Sequence, residues 1–108
     1  MTHATIEDTT SVQEDLLPWE EDGFALRTRV LNEQGLHARP AARLAQEAQK
    51  FGCDIEMSAG EAVVDAKSIL DILTLAAGHG SELELRARGP QAREALLHLG
   101  TLFRNRFR

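Results

Sequence analysis

The stretch Cys53-Asp54-Ile55-Glu56-Met57-Ser58-Ala59-Gly60-Glu61-Ala62-Val63-Val64-Asp65-Ala66 decides the fold. Cys53, Ile55 and Met57 alternate with Asp54, Glu56 and Ser58, the two-residue period of a half-buried strand. Ala59-Gly60 makes a tight turn, and Ala62, Val64 and Ala66 mark a second strand pairing back as a hairpin. One face is apolar and the other charged. That pattern suits an antiparallel sheet covered on one side and wet on the other.

The same alternation recurs on both sides of the hairpin. Upstream, Phe24, Leu26, Thr28 and Val30 alternate with Ala25, Arg27, Arg29 and Leu31, and Asn32–Gly35 has turn chemistry. Ala41, Leu44, Ala45, Ala48 and Phe51 then recur at helical spacing, which predicts a helix over about 38–50 ending before Gly52. Downstream, a short helix is expected over about 68–77, closed by Gly78-His79-Gly80. Leu83, Leu85 and Ala87 form a fourth strand. Gly89-Pro90 breaks the chain before a last helix carrying Ala92, Ala95, Leu96, Leu99, Leu102 and Phe103 on one face. The order β-α-β-β-α-β-α predicts an α+β fold: a four-stranded antiparallel sheet covered on one face by three helices.

Length and charge set the limits. The 108 residues are enough for one domain, and 43% hydrophobic content is enough for a core. With aromatics at 5% and no Tyr, that core must be built from Leu, Ile, Val and Ala. The net charge of −5 argues against a nucleic-acid binder. Its distribution is uneven. Residues 1–22 hold seven acids and no Lys or Arg, whereas 23–108 hold 10 acids and 12 Lys and Arg. The expected organisation is an acidic, flexible extension over 1–22 and a mildly basic domain over 23–108. The sharper alternative is that Leu16, Leu17 and Trp19 dock on the domain. The acids could also fold over Arg39 and Arg43.

Cys53 is the only cysteine, which excludes an intrachain disulfide and fits a reducing compartment. No apolar run is long enough to span a bilayer, and MTHATIEDTT does not read as a secretory signal. A cytoplasmic protein without membrane insertion is expected.

The chemistry concentrates in Gln34-Gly35-Leu36-His37-Ala38-Arg39-Pro40-Ala41-Ala42. His37 stands where the first loop becomes the first helix. Helix N-termini leave N–H groups unpaired and favour anions. Pro40 suits the first turn, and Gly35 lets the chain fold back tightly. Arg39 and, one turn on, Arg43 can each present a planar fork to phosphate oxygens. An imidazole nitrogen is a competent nucleophile near neutral pH, so the pattern suits attack on a phosphoryl group held by the helix start and arginine. A surface histidine beside a solubilising arginine fits the same spacing.

A second candidate lies at Ala66-Lys67-Ser68-Ile69-Leu70. Ser68 is a good N-cap whatever else it does. The helix it opens is too apolar for its length. Ile72, Leu75 and Ala76 fit the inward stripe, leaving Ile69, Leu70 and Leu73 as an exposed patch suited to docking.

The run GLHARPAARLAQEAQ, followed about thirty residues after His37 by AKSILDILTLAAGHGSELEL, resembles HPr, the phosphocarrier family of the phosphoenolpyruvate-dependent sugar phosphotransferase system. The resemblance spans roughly residues 24–106. It implies an open-faced β-sandwich in which His37 carries a phosphoryl group on Nδ1 and Arg39 binds it. The donor it implies is enzyme I and the acceptor a histidine on an EIIA domain, so the chain is a protein substrate rather than an enzyme. Ser68 matches the serine modified by an HPr kinase/phosphorylase, and Ile69, Leu70 and Leu73 match the partner-facing patch. Two departures stand out. Gln34 replaces an Asn common three residues before the histidine, and Asp71 replaces a Gly common in kinase-regulated members. Asp71 and the Gly89-Pro90-Gln91 ending resemble a nitrogen-regulatory branch. The alternatives are therefore a nitrogen-branch carrier or a regulatory module controlled through Ser68.

Other chemistry is poorly supported. His3, His79 and His98 have no paired metal-ligand spacing, so neither metal nor cofactor is expected. His98 reads as an exposed helical residue. Cys53 reads as a half-buried apolar one. The strands lack the aromatics of RNA-binding sheets.

Overall fold

The computed structural model describes residues 15–108. Strand β1 (Leu16–Trp19) leads through a turn into β2 (Gly23–Arg29), followed by helix α1 (Ala38–Ala48). Strands β3 (Asp54–Ala59) and β4 (Ala62–Asp65) form the expected hairpin, with Ala59 opposite Ala62. Helix α2 (Ile69–Leu75), strand β5 (Glu82–Arg88) and helix α3 (Ala92–Arg104) complete the chain. The sheet is antiparallel throughout, in the order β1-β2-β5-β3-β4.

The helices cover one face of this sheet, as in an open-faced β-sandwich. Leu26, Leu83, Leu85, Ala87, Ile55 and Met57 point from the strands into a core shared with Ala41, Leu44, Ala48, Ile72, Leu96, Leu99 and Phe103. The opposite face pairs charges across neighbouring strands, where burial does not penalise them. Arg27 meets Glu84 at 3.8 Å, Arg29 meets Glu82 at 3.6 Å and Arg86 reaches Glu56 at 3.2 Å, while within β5 Arg86 also reaches Glu84 at 2.6 Å. These carboxylates raise the Arg86 pKa, the Glu84 hydrogen bond most of all.

The expected sheet of four strands is in fact one of five. Within the segment 1–22 expected to be flexible, Leu16–Trp19 pairs along the edge of β2, with Leu16 opposite Leu26 and Trp19 opposite Gly23. Strand alternation puts Leu16 on the core side and Trp19 on the charged side, where its ring faces the guanidinium groups of Arg86 and Arg88 at 5.5 and 5.7 Å. Glu20 pairs with Arg88 in the turn that follows. Gly23 cannot carry a side chain, because a Cβ would sit 2.7 Å from the carbonyl oxygens of Ala87 and Trp19. So β1 docks, as the alternative reading allowed, although Leu17 stays exposed. Glu7, Asp8 and Glu14 lie outside the described residues.

Smaller differences have local causes. Cys53 is fully buried rather than half-buried, and burial pushes its thiol pKa up. Ala76 does not join the inward stripe of α2. It caps the helix in the left-handed region at φ 53° and is exposed.

Candidate functional site

The position of His37 follows from a tight turn before it. The Gly35 N–H donates to the Asn32 carbonyl at 3.0 Å, and the Leu36 N–H donates to the Ala77 carbonyl at 2.9 Å. Gly35 adopts φ 72°, and a Cβ there would lie 2.5 Å from the Ala77 oxygen. Glycine is therefore required twice, for its backbone and for its lack of bulk. Leu36 is anchored in the core at 4% exposure, so the next side chain, His37, is turned outward.

His37 is the N-cap residue of α1, with extended backbone and no side-chain cap bond. Its carbonyl accepts the first helical bond, from Ala41 N–H at 3.0 Å. The N–H groups of Ala38 and Arg39 precede the helical hydrogen-bond ladder, and Pro40 has none to satisfy. The first turn holds no acidic residue that would offset the positive end of the helix.

Two open depressions flank the imidazole. One, of about 460 Å³, places His37 with Asn32, Arg39, Arg43, Arg106 and Phe107. The other, of about 390 Å³, places it with Asn32, Glu33, Gln34, His79, Arg106 and Arg108. The expected pair His37 and Arg39 is thus brought together, and Arg39 makes no ion pair among the described residues. Arg43 lines the same depression but also lies 3.6 Å from Glu47. A third groove, on the sheet's charged face beside Trp19, shares no residue with these two.

The tail acids that the structure describes do not reach this arginine cluster. Asp15 lies beside Arg27 and Arg29, and Glu20 is held by Arg88. Glu21 and Asp22 line neither depression.

A family model for the PTS HPr component phosphorylation site matches residues 26–105. The chain belongs to the HPr family. As an HPr protein it is a phosphocarrier of the phosphotransferase system. It is 47% identical to the phosphocarrier protein HPr of Treponema pallidum over 79 residues, covering 73% of this chain and 90% of that protein. The HPr of Cupriavidus necator is 45% identical over 80 residues, covering 74% and 90% respectively. Among solved structures, HPr from Bacillus anthracis superposes with a TM-score of 0.74 at 38% identity, covering 77% of this chain and 99% of that one.

The second expected HPr site is ordered by a network of short polar contacts. Ser68 caps α2, its hydroxyl accepting from Asp71 N–H at 3.2 Å. The Asp71 carboxylate in turn accepts from Asp65 N–H at 3.2 Å. Lys67 donates through Nζ to the Phe51 carbonyl at 2.8 Å, and the Gln49 side chain donates to the Lys67 carbonyl at 2.8 Å. These bonds clamp the Ser68 loop to the end of α1. Beyond it, Ile69, Leu70 and Leu73 are 38%, 75% and 36% exposed, while Ile72 is buried. The patch is where the helical spacing put it.

Two functional-site relationships were not legible in the sequence. The segment 105–108 folds back to the His37 depressions, where Arg106 and Arg108 join the basic rim. Also, Glu47 is buried and bonded to His98, which is more than an exposed helical residue. The pairings span 74 and 51 positions, so no local periodicity could reveal either. Among the described residues, no three His, Cys, Asp or Glu side chains group as a metal site needs, and no helix is long and apolar enough to cross a membrane.

Proposed function

We propose that His37 is the residue this HPr protein uses to carry the phosphoryl group. The observation behind it is an exposed imidazole, without a hydrogen bond among the described residues, at a helix start with Arg39 beside it and no first-turn acid. In the transfer, a ring nitrogen lone pair forms the N–P bond while the donor's bond to phosphorus breaks. The transferred oxygens carry about two negative charges, which the helix start and the Arg39 fork accept. The donor is enzyme I, charged by phosphoenolpyruvate, and the acceptor is a histidine of an EIIA domain. Ile69, Leu70 and Leu73, with Arg43, form the docking surface for both partners, in the cytoplasm.

Incubation with enzyme I and phosphoenolpyruvate should add about 80 Da in an acid-labile linkage. His37→Ala should abolish it. Labelling of that variant at the wild-type rate would sink the assignment.

A second reading rests on Ser68, whose hydroxyl stands next to the exposed apolar patch. Phosphate placed there by an HPr kinase/phosphorylase would put negative charge beside the docking surface and weaken acidic partners' approach. An acid-stable phosphoserine formed from ATP, with His37 dispensable for the downstream response, would favour this reading over the carrier one. Asp71, standing where kinase-regulated members commonly have Gly, favours a nitrogen-branch carrier instead.

A further inference from the structure

The arginines of this protein divide into two groups. Those on the sheet face, Arg27, Arg29, Arg86 and Arg88, are each matched by a glutamate. Arg39, Arg106 and Arg108, around His37, make no ion pair among the described residues. Arg106 is the only arginine that lines both depressions flanking the imidazole. Among the described residues, Glu33 is the one acidic side chain bordering either of them. Unmatched cations converging beside an unbonded nucleophile leave room for an anion there.

Arg106 is also held in place. The Asn32 side chain donates through Nδ2 to the Arg106 carbonyl at 3.0 Å. Asn32 Oδ1 is buried without a partner among the described residues. Arg106 and Phe107 both occupy the left-handed region, at φ 55° and 60°, which non-glycine residues adopt at a cost. The turn is kept by Phe107 N–H donating to the Leu102 carbonyl at 2.8 Å and by the Phe107 ring, edge-on to Phe103 at 4.9 Å. Two strained residues, a ring contact and a long-range side-chain bond together fix the backbone of Arg106 at the edge of both depressions.

We propose that Arg106 is a second phosphoryl-binding residue, placed opposite Arg39, and that Asn32 is the residue that positions it. The proposal rests on His37 as the phosphorylated residue. With the phosphoryl group on His37, Arg39 holds its oxygens from the helix side and Arg106 from the turn after α3. The dianion is then shared between two forks rather than one.

The test measures the ratio of phosphorylated to free full-length protein at equilibrium with enzyme I and a fixed phosphoenolpyruvate-to-pyruvate ratio. Arg106→Ala should lower that ratio by about 3- to 10-fold at low salt, the range of one partly exposed charge-assisted contact. Arg106→Lys should recover most of the loss. Asn32→Ala should lower the ratio less, and the double variant should be no worse than Arg106→Ala, because both changes remove the same contact. A wild-type ratio in Arg106→Ala overturns the proposal. So does a loss that Arg106→Lys does not recover and high salt does not shrink, since that marks lost packing. Failure of the wild-type protein to be labelled at all would overturn the carrier reading of His37 instead.

Discussion

His98 Nε2 lies 2.6 Å from Glu47 Oε1, joining the last helix to the first. Lys50 Nζ approaches the other carboxylate oxygen at 2.9 Å and Arg43 Nε at 3.6 Å. The His98 hydrogen bond, followed by that of Lys50, outweighs burial and holds the Glu47 pKa at about 2, below its usual 4.5. The carboxylate thus fixes the rear of the helix whose front carries His37. The His98 ring is also packed against Phe51 at 5.8 Å.

The sign of the pH dependence follows from that lowered pKa. A depressed carboxyl contributes its stability fully above the unfolded value of 4.5 and loses it as pH falls toward 2. Glu47→Gln should therefore cost about 1–2 kcal/mol near neutrality and flatten the acid limb between those two pH values. Thermal unfolding across that range measures both. An acid limb identical to wild type would show that Glu47 is not the group responsible.

Gly35→Ala should be among the most damaging single changes outside the core. It places a Cβ against the Ala77 carbonyl at 2.5 Å and forces a side chain into φ 72°. A loss of at least about 2 kcal/mol is expected in denaturant titration. A loss under half of that would mean the two loops separate easily.

Ala76→Gly should stabilise the protein. Ala76 ends α2 at φ 53°, where glycine bears no Cβ penalty, and it is exposed. The expected gain is about 0.5–1 kcal/mol, seen as a rise of a few degrees in Tm. A fall in Tm would show that the Ala76 methyl makes a contact worth more than its strain.

The α2 patch separates docking from stability. Leu70→Ala should change stability by less than about 0.5 kcal/mol, because the side chain is 75% exposed. It should raise several-fold the KM that enzyme I shows for this protein as its substrate. Ile72→Ala, on the opposite, fully buried side of the same helix, should instead cost about 2–4 kcal/mol. Unchanged kinetics for Leu70→Ala would remove this patch from the docking surface.

Truncation distinguishes the strand from what precedes it. Removing residues 1–22 deletes β1, bares the edge of β2 and uncovers Leu26 and Ala25, so Tm should fall by several degrees. Removing only residues 1–14 retains every pairing of β1. Equal Tm values for the two truncations would show that β1 adds no stability.

The strands of Phe24, Ile55, Val64 and Leu85 could be read from the sequence because alternation is a local signal, and so could the helix that follows His37. Leu16-Leu17-Pro18-Trp19 could not. Four residues with a proline carry no usable period, and they become a strand only because the edge of β2 offers unpaired backbone groups. Likewise, the spacing of Gly35, His37, Arg39 and Pro40 by itself determined the helix start and the imidazole standing on it, since those residues are neighbours along the chain. The tertiary structure alone decided that Asn32 meets Arg106 and that Glu47 meets His98. Each of those pairs forms where α3 packs back across the core onto α1 and its leading loop, and packing between distant elements leaves no periodicity in the sequence of either one.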